Sequence, residues 1–183
     1  KLSGEYLRAF QGPDFEIVKV VGKNVPSVFE LKALNADVGI IAYYGKIIPE
    51  KILEIPKKKI LNIHHSLLPR WRGPSPVQSA ILAGDKKTGV TIAIATKRID
   101  AGSIVSRKEI DILPHDTYAA LERRLIAIGS DLIRESIPLY IADKITLKPQ
   151  DDSKATYSKL LTKEDGRIDW SRSAEEIERM VLA

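Results

Sequence analysis

Cysteine is absent from the 183 residues, which excludes disulfides, thiolate nucleophiles and Cys-ligated zinc. Long apolar runs are missing too: none approaches the ~18 residues of a membrane span. The opening KLSGEYLRAF lacks the uninterrupted apolar core of a signal peptide. A cytoplasmic location with no membrane partner is the expectation. No serine stands in a Gly-x-Ser-x-Gly elbow, so a serine-nucleophile hydrolase has no support. Gly-x-Gly-x-x-Gly and Gly-x-x-x-x-Gly-Lys are also lacking, which leaves dinucleotides and nucleoside triphosphates without a phosphate cradle. Histidine is scarce, with three in the chain, yet two of them, His64 and His65, are adjacent. Neighbouring side chains on a strand leave opposite faces, and His115 lies in a separate loop, so no metal site is expected.

What is present describes an ordinary globular chain, with 44% hydrophobic and 29% charged residues. The net charge of +5 mildly favours an anionic partner, and dispersed Lys and Arg equally suit a solvated surface. Lys57, Lys58 and Lys59 form the one basic triplet and read as a strand entry. Strands are predicted at FEIVKVV (15–21), ADVGIIAYY (36–44, buried), KILNI (59–63), VTIAIAT (90–96) and SIVSRKEI (103–110), each bounded by Gly, Pro, Asn or Asp. Helices are predicted over 74–83, with Pro74 and Pro76 in its first turn and Gly84 at its end, and over 117–141, capped by Asp116 or Thr117. VVGKNVPSVFE is too short and polar to hold a crossover helix between 21 and 36, and no opening strand is found before residue 15. The alternation predicts an α/β fold: an open, mostly parallel, twisted sheet with helices on both faces. Two short strands around Asp100-Ala101-Gly102 suggest an antiparallel addition at one edge. Residues 1–148 form the main domain. Residues 149–183 are a polar, turn-rich extension ending in a helix that Ser173 can cap, either laid over the body or leading onward.

The segment ILNIHHSLLPRWRGPSP, residues 60–76, carries the chemistry. Asn62 and His64 are two apart where a strand stops, so both side chains leave one face, and His65 points the other way. An amide donor beside an imidazole suits acyl-type chemistry: the amide steadies a developing oxyanion, and the imidazole polarises a carbonyl or moves a proton. The same pattern also fits a hydrogen-bonded turn. Asp100 follows the strand VTIAIAT and could face His64 across the crevice at the strands' carboxyl ends, orienting the ring and holding a water. Asp-Ala-Gly is equally a good hairpin turn, and the two roles are compatible.

Asn62-Ile63-His64, then Ser66-Leu67-Leu68-Pro69, the Arg-Trp-Arg-Gly loop and a later Ile99-Asp100-Ala101-Gly102, resemble the signature of the formyltetrahydrofolate-dependent formyltransferases. Residues 36–53, 78–92 and 162–183 support the likeness. The resemblance implies a Rossmann-like formyltransferase fold, and direct formyl transfer from 10-formyltetrahydrofolate to a primary amine without a metal. It implies Asn62, His64 and Asp100 as the catalytic trio. It also implies a folate slot between Tyr44, Ile47 and Ile48 on one side and Thr96 to Asp100, Ile99 included, on the other, with Ser66, Leu67, Leu68 and Pro69 as a folate-contacting turn. The implied acceptor is initiator methionyl-tRNA, with an amino sugar nucleotide as the alternative; Arg70 and Arg72 would meet the acceptor's phosphates. A monomer is expected. The family's opening strand, a long basic loop after the second strand, and a basic C-terminal β-barrel have no counterpart in these residues.

Overall fold

Residues Tyr6, Arg8, 15–17, 19, 20, 22 and 26–183 are described by a computed structural model. Its elements, in chain order, are α1 (Val28–Ala33), β1 (Gly39–Ile41), α2 (Glu50–Leu53), β2 (Ile60–His64), α3 (Pro76–Leu82), β3 (Lys87–Ile94), β4 (Ile104–Asp111), α4 (Tyr118–Ile141) and α5 (Ala174–Leu182), with short 3-10 turns at Asp152–Lys154 and Lys163–Gly166. The sheet order is β1-β2-β3-β4. β1 pairs with β2 in parallel, whereas β2–β3 and β3–β4 are antiparallel. Among the described strands the sheet is therefore mixed, and the antiparallel part is larger than the edge hairpin expected from sequence. Its two strands are eight residues each, and β3 begins earlier than predicted because Lys87 to Gly89 find partners in Glu109 to Asp111.

Each strand presents alternate residues to two apolar layers. Leu61 and Ile63 of β2 join Val90 and Ile92 of β3 in the main core, closed by Leu121, Leu125, Ile126, Ile133 and Ile137 of α4. Ile60, one residue out of phase, enters a smaller cluster with Val28 and Leu31 of α1 and Ile52 and Leu53 of α2. Helices thus cover both faces. α4 starts at Thr117, whose hydroxyl accepts from the Ala120 N–H, so Thr117 is the cap and Asp116 is not. Asp116 instead accepts from Leu113 N–H and pairs with Arg124.

Three expectations need correction. Of FEIVKVV, Phe15, Glu16, Ile17, Lys19 and Val20 are not in a strand, and Val18 and Val21 lie outside the described residues. β-propensity marks residues that suit a half-buried pleated surface, but here Ile17 and Val20 face solvent. ADVGIIAYY yields only three half-buried strand residues, because Tyr43 takes a left-handed conformation, φ 54°, and turns the chain. A helix does form in the span expected to hold none. Ser27 caps α1 by accepting from the Glu30 N–H while Glu30 reaches back to the Ser27 N–H, a capping box written plainly as Ser-x-x-Glu.

The basic triplet is spent on local pairs: Lys57 with Asp37, Lys58 with Asp143 and Lys59 with Glu54. The extension lies on the body. Leu182 and Ala183 pack against the main core, and Arg179 Nε donates to the Leu82 carbonyl of α3.

Candidate functional site

The doublet at the end of β2 is divided by the sheet itself. His64 shares a face with Asn62, and His65 points towards α4. On the Asn62 side, Asp100 is the hub. Its Oδ1 accepts from Asn62 Nδ2 at 2.8 Å, its Oδ2 accepts from the Gly73 N–H at 2.8 Å, and that same Oδ2 faces His64 Nδ1 at 3.6 Å. His64 Nε2 lies 2.8 Å from the Trp71 carbonyl. A carbonyl only accepts, so Nε2 carries a proton, and any second proton on the ring enters at Nδ1, against the carboxylate. Asn62 spends one amide hydrogen on Asp100 and keeps another. Both His64 and Asp100 are largely buried, which strengthens each of these electrostatic contacts.

Asp100 does not arrive at the carboxyl end of a strand parallel to β2. β3 runs the other way, with Ile94 beside Leu61, so the connection 95–103 must bring Asp100 onto the face holding Asn62 and His64. A left-handed backbone at Asp100, φ 49°, makes that turn, a conformation Asp tolerates better than most residues. β1 and β2 do end on the same side, with Ile41 beside Asn62.

The loop 66–73 is held from below. Thr91 donates to the Ser66 carbonyl at 2.6 Å and accepts from Leu68 N–H at 3.2 Å, while Ser66 Oγ donates to the Arg70 carbonyl at 2.6 Å. Ser66 and Leu68 are fully buried, so these members of the predicted folate turn face the interior with their side chains. Arg107 donates to the Leu68 carbonyl, and Pro69 accepts from Thr156 N–H. Arg70 and the Trp71 indole N–H both engage Asp85, and the Arg70 guanidinium lies 4.4 Å from the Trp71 ring centroid. Arg72 has 0% of its side chain exposed and donates to Gln150, Asp152 and the Tyr157 hydroxyl, so it stands inside the protein rather than facing an acceptor.

Of the predicted slot, Ile47 and Ile99 are 81% and 57% exposed, while Ile48 packs into the smaller cluster beside Ala95. Thr96 turns its hydroxyl onto the Arg98 carbonyl. The Tyr44 hydroxyl is buried with no hydrogen-bond partner among the described residues.

Three contributors escaped the sequence reading: the Gly73 N–H, the Trp71 carbonyl and Gln150. The first two are backbone groups presented by left-handed residues, Trp71 at φ 58° and Gly73 at φ 108°; the Gly was the one available signal. Behind the sheet, His65 lies in a buried relay. Tyr6 Oη is 2.6 Å from Nε2, Tyr43 Oη is 2.8 Å from Nδ1, and Tyr43 donates to Glu122 Oε1 at 2.8 Å. Because Tyr43 gives its proton to the carboxylate, it accepts from Nδ1–H, and Nε2 is left to accept from Tyr6. A neutral ring satisfies this order, and burial indeed pushes His65 below its ordinary value. Burial would raise the Glu122 carboxyl, but hydrogen bonding from His65, Tyr118 and Tyr43 outweighs it and holds the group low.

A family model described as formyl transferase matches residues 23–137. The methionyl-tRNA formyltransferase of Roseiflexus castenholzii is 46% identical over 157 residues, 86% of this chain and 50% of that protein. A solved methionyl-tRNA formyltransferase from Clostridium thermocellum superposes with a TM-score of 0.76 at 20% identity, covering 99% of this chain and 77% of that one, which establishes the fold. An N-formyltransferase from Helicobacter canadensis, solved with folinic acid and dTDP-3-aminofucose, gives a TM-score of 0.68 at 22% identity over 78% of this chain and 53% of that one. The chain spans about half the length of the curated relatives it matches. With the family model covering well over half of its residues, the chain belongs to the formyl transferase family.

Proposed function

We propose that this chain transfers the formyl group of 10-formyltetrahydrofolate to the free amino group of initiator methionyl-tRNA. The observation that carries the reading is the Asp100 carboxylate, gripped by Asn62 and the Gly73 N–H while facing His64 Nδ1. The tRNA acceptor is favoured by relatives named methionyl-tRNA formyltransferase at 41–48% identity. A translation role in the cytoplasm follows from that acceptor.

The amine attacks the formyl carbon, a carbon–nitrogen bond forms, and the carbonyl oxygen becomes an oxyanion. The spare N–H of Asn62 and a protonated His64 steady that charge in a largely buried setting. Asp100, directly or through a held water, takes the proton from the attacking nitrogen. His64 and Asp100 return it to the folate nitrogen as the carbon–nitrogen bond to the donor breaks, leaving formyl-amine and tetrahydrofolate. Donor binding would draw on Ile47 and Ile99, whose exposed apolar surface gains about 25 cal/mol per Å² when covered. Tyr44 offers an uncommitted buried hydroxyl as a polar handle. Ser66, Leu67, Leu68 and Pro69 contribute as a firmly seated turn, with backbone rather than buried side chains available to a ligand. Arg70 remains half-exposed and able to meet a phosphate. Arg72 acts from inside by fixing the loop. No metal enters these steps.

The protein, 10-formyltetrahydrofolate and either charged initiator tRNA or amino sugar nucleotides form the decisive assay. Formyl-methionyl-tRNA is the expected product. Formylation of the sugars alone would move the acceptor to the second class.

A further inference from the structure

We infer that Gln150, from the extension beyond the main domain, is a positioning residue for the reaction proposed above. Its amide is used completely. Nε2 donates to the carbonyls of Asp100, at 2.8 Å, and Gly102, at 2.7 Å, while Oε1 accepts from Arg72 Nε at 3.1 Å and Nη2 at 2.8 Å. The amide can sit only one way round, because carbonyls require donors and a guanidinium requires an acceptor. Gln150 therefore clasps both sides of the turn that presents the Asp100 carboxylate.

The surrounding strap holds the opposite wall. Arg72 N–H donates to the Thr156 carbonyl at 2.9 Å, Ser158 N–H to the Arg72 carbonyl at 2.7 Å, and Trp71 N–H to Thr156 Oγ1 at 2.9 Å. The loop thus pinned supplies the Trp71 carbonyl that takes His64 Nε2–H and the Gly73 N–H that grips Asp100. The segment around Gln150 belongs to the site, and the division at residue 148/149 does not separate it from the chemistry. Asp100 sits in a left-handed backbone that its own residue type only tolerates, so an external clasp is what keeps its carboxylate aimed.

Two variants separate aiming from mere attachment. Gln150→Glu keeps an acceptor for Arg72 but removes both donors and sets a negative charge against two carbonyl oxygens. Asp152→Asn weakens the ion pairs to Arg72 and Arg98 but leaves both Gln150 hydrogen bonds to the Asp100 and Gly102 carbonyls in place. Gln150→Glu is expected to lower kcat about 100-fold, the scale of an ångström-sized misplacement, with KM for 10-formyltetrahydrofolate moved less than about twofold. Asp152→Asn is expected to keep kcat within about twofold, since the Gln150 clasp on the Asp100 turn is retained. Wild-type kcat in Gln150→Glu, or equal kcat losses in the two variants, would overturn the inference. Amide exchange reads the same clasp without turnover: Gly73 N–H should exchange faster in Gln150→Glu and unchanged in Asp152→Asn. If the unaltered protein formylates nothing, the functional reading fails by itself, and unchanged Gly73 protection in Gln150→Glu would then overturn this inference separately.

Discussion

At the scale of single residues, the sheet gives two adjacent histidines unrelated work. His64 faces Asp100 with Nε2–H already committed, so proton exchange is directed to Nδ1. Asn62→Ala removes one oxyanion donor and should lower kcat by about 10²–10³ with the fold retained, read as formyl transfer rate alongside the melting temperature. His65 makes a different forecast. Its folded pKa lies below the ordinary 6.5, so between those values the unfolded chain binds more protons than the native one. The stability it contributes is complete above about pH 6.5 and is lost as pH falls through the folded pKa. Melting temperature should decline as the solution is acidified from pH 7.5 towards 5.5, and His65→Gln should flatten that decline. The Asn-x-His pattern was readable from strand periodicity, and the opposite sense of His65 with it. Tyr43 and Glu122 were not readable, because their meeting depends on α4 crossing a particular strand, which no local pattern encodes.

Secondary-structure elements supply the precision. The hairpin of β3 and β4 must close tightly at its root: a Cβ at Gly102 would lie 1.8 Å from the Ile94 carbonyl oxygen. Gly102→Ala should therefore spread the hairpin, cost about 1–3 kcal/mol as overpacking does, and lower activity with it by shifting Asp100. Circular dichroism melts and transfer rates on one preparation would check both. Thr117→Ala, at the start of α4, should cost about 0.5–2 kcal/mol without changing kcat, since the cap touches nothing in the site. β2, β3 and β4 were readable as β-branched runs bounded by turn residues, and α4 from its long apolar stripe. α1 was hidden by its brevity, six residues whose capping box is their chief signal. The direction of β3 was hidden as well, since periodicity marks a strand and its faces but not its sense.

Over the whole molecule, two apolar layers hold the sheet, and the site lies on the face of β2 that also bears Ile60 and the smaller cluster. The Lys57–Lys59 triplet is neutralised by its pairs with Asp37, Asp143 and Glu54, so the net +5 leaves no concentrated patch there. The extension closes the circuit, with α5 against α3 and the strap against the Arg70–Gly73 loop. That the extension would contact the body was one of two readings its composition allowed; that it would reach the Asp100 turn was invisible, because a single glutamine in a polar segment carries no periodic signal. The most direct measurement follows labelled formyl from 10-formyltetrahydrofolate to initiator methionyl-tRNA in the unaltered protein and in Asp100→Asn. Transfer is expected in the first, and a rate lower by about 10²-fold or more in the second, whose carboxylate charge is gone. Transfer by Asp100→Asn at the unaltered rate would contradict that expectation.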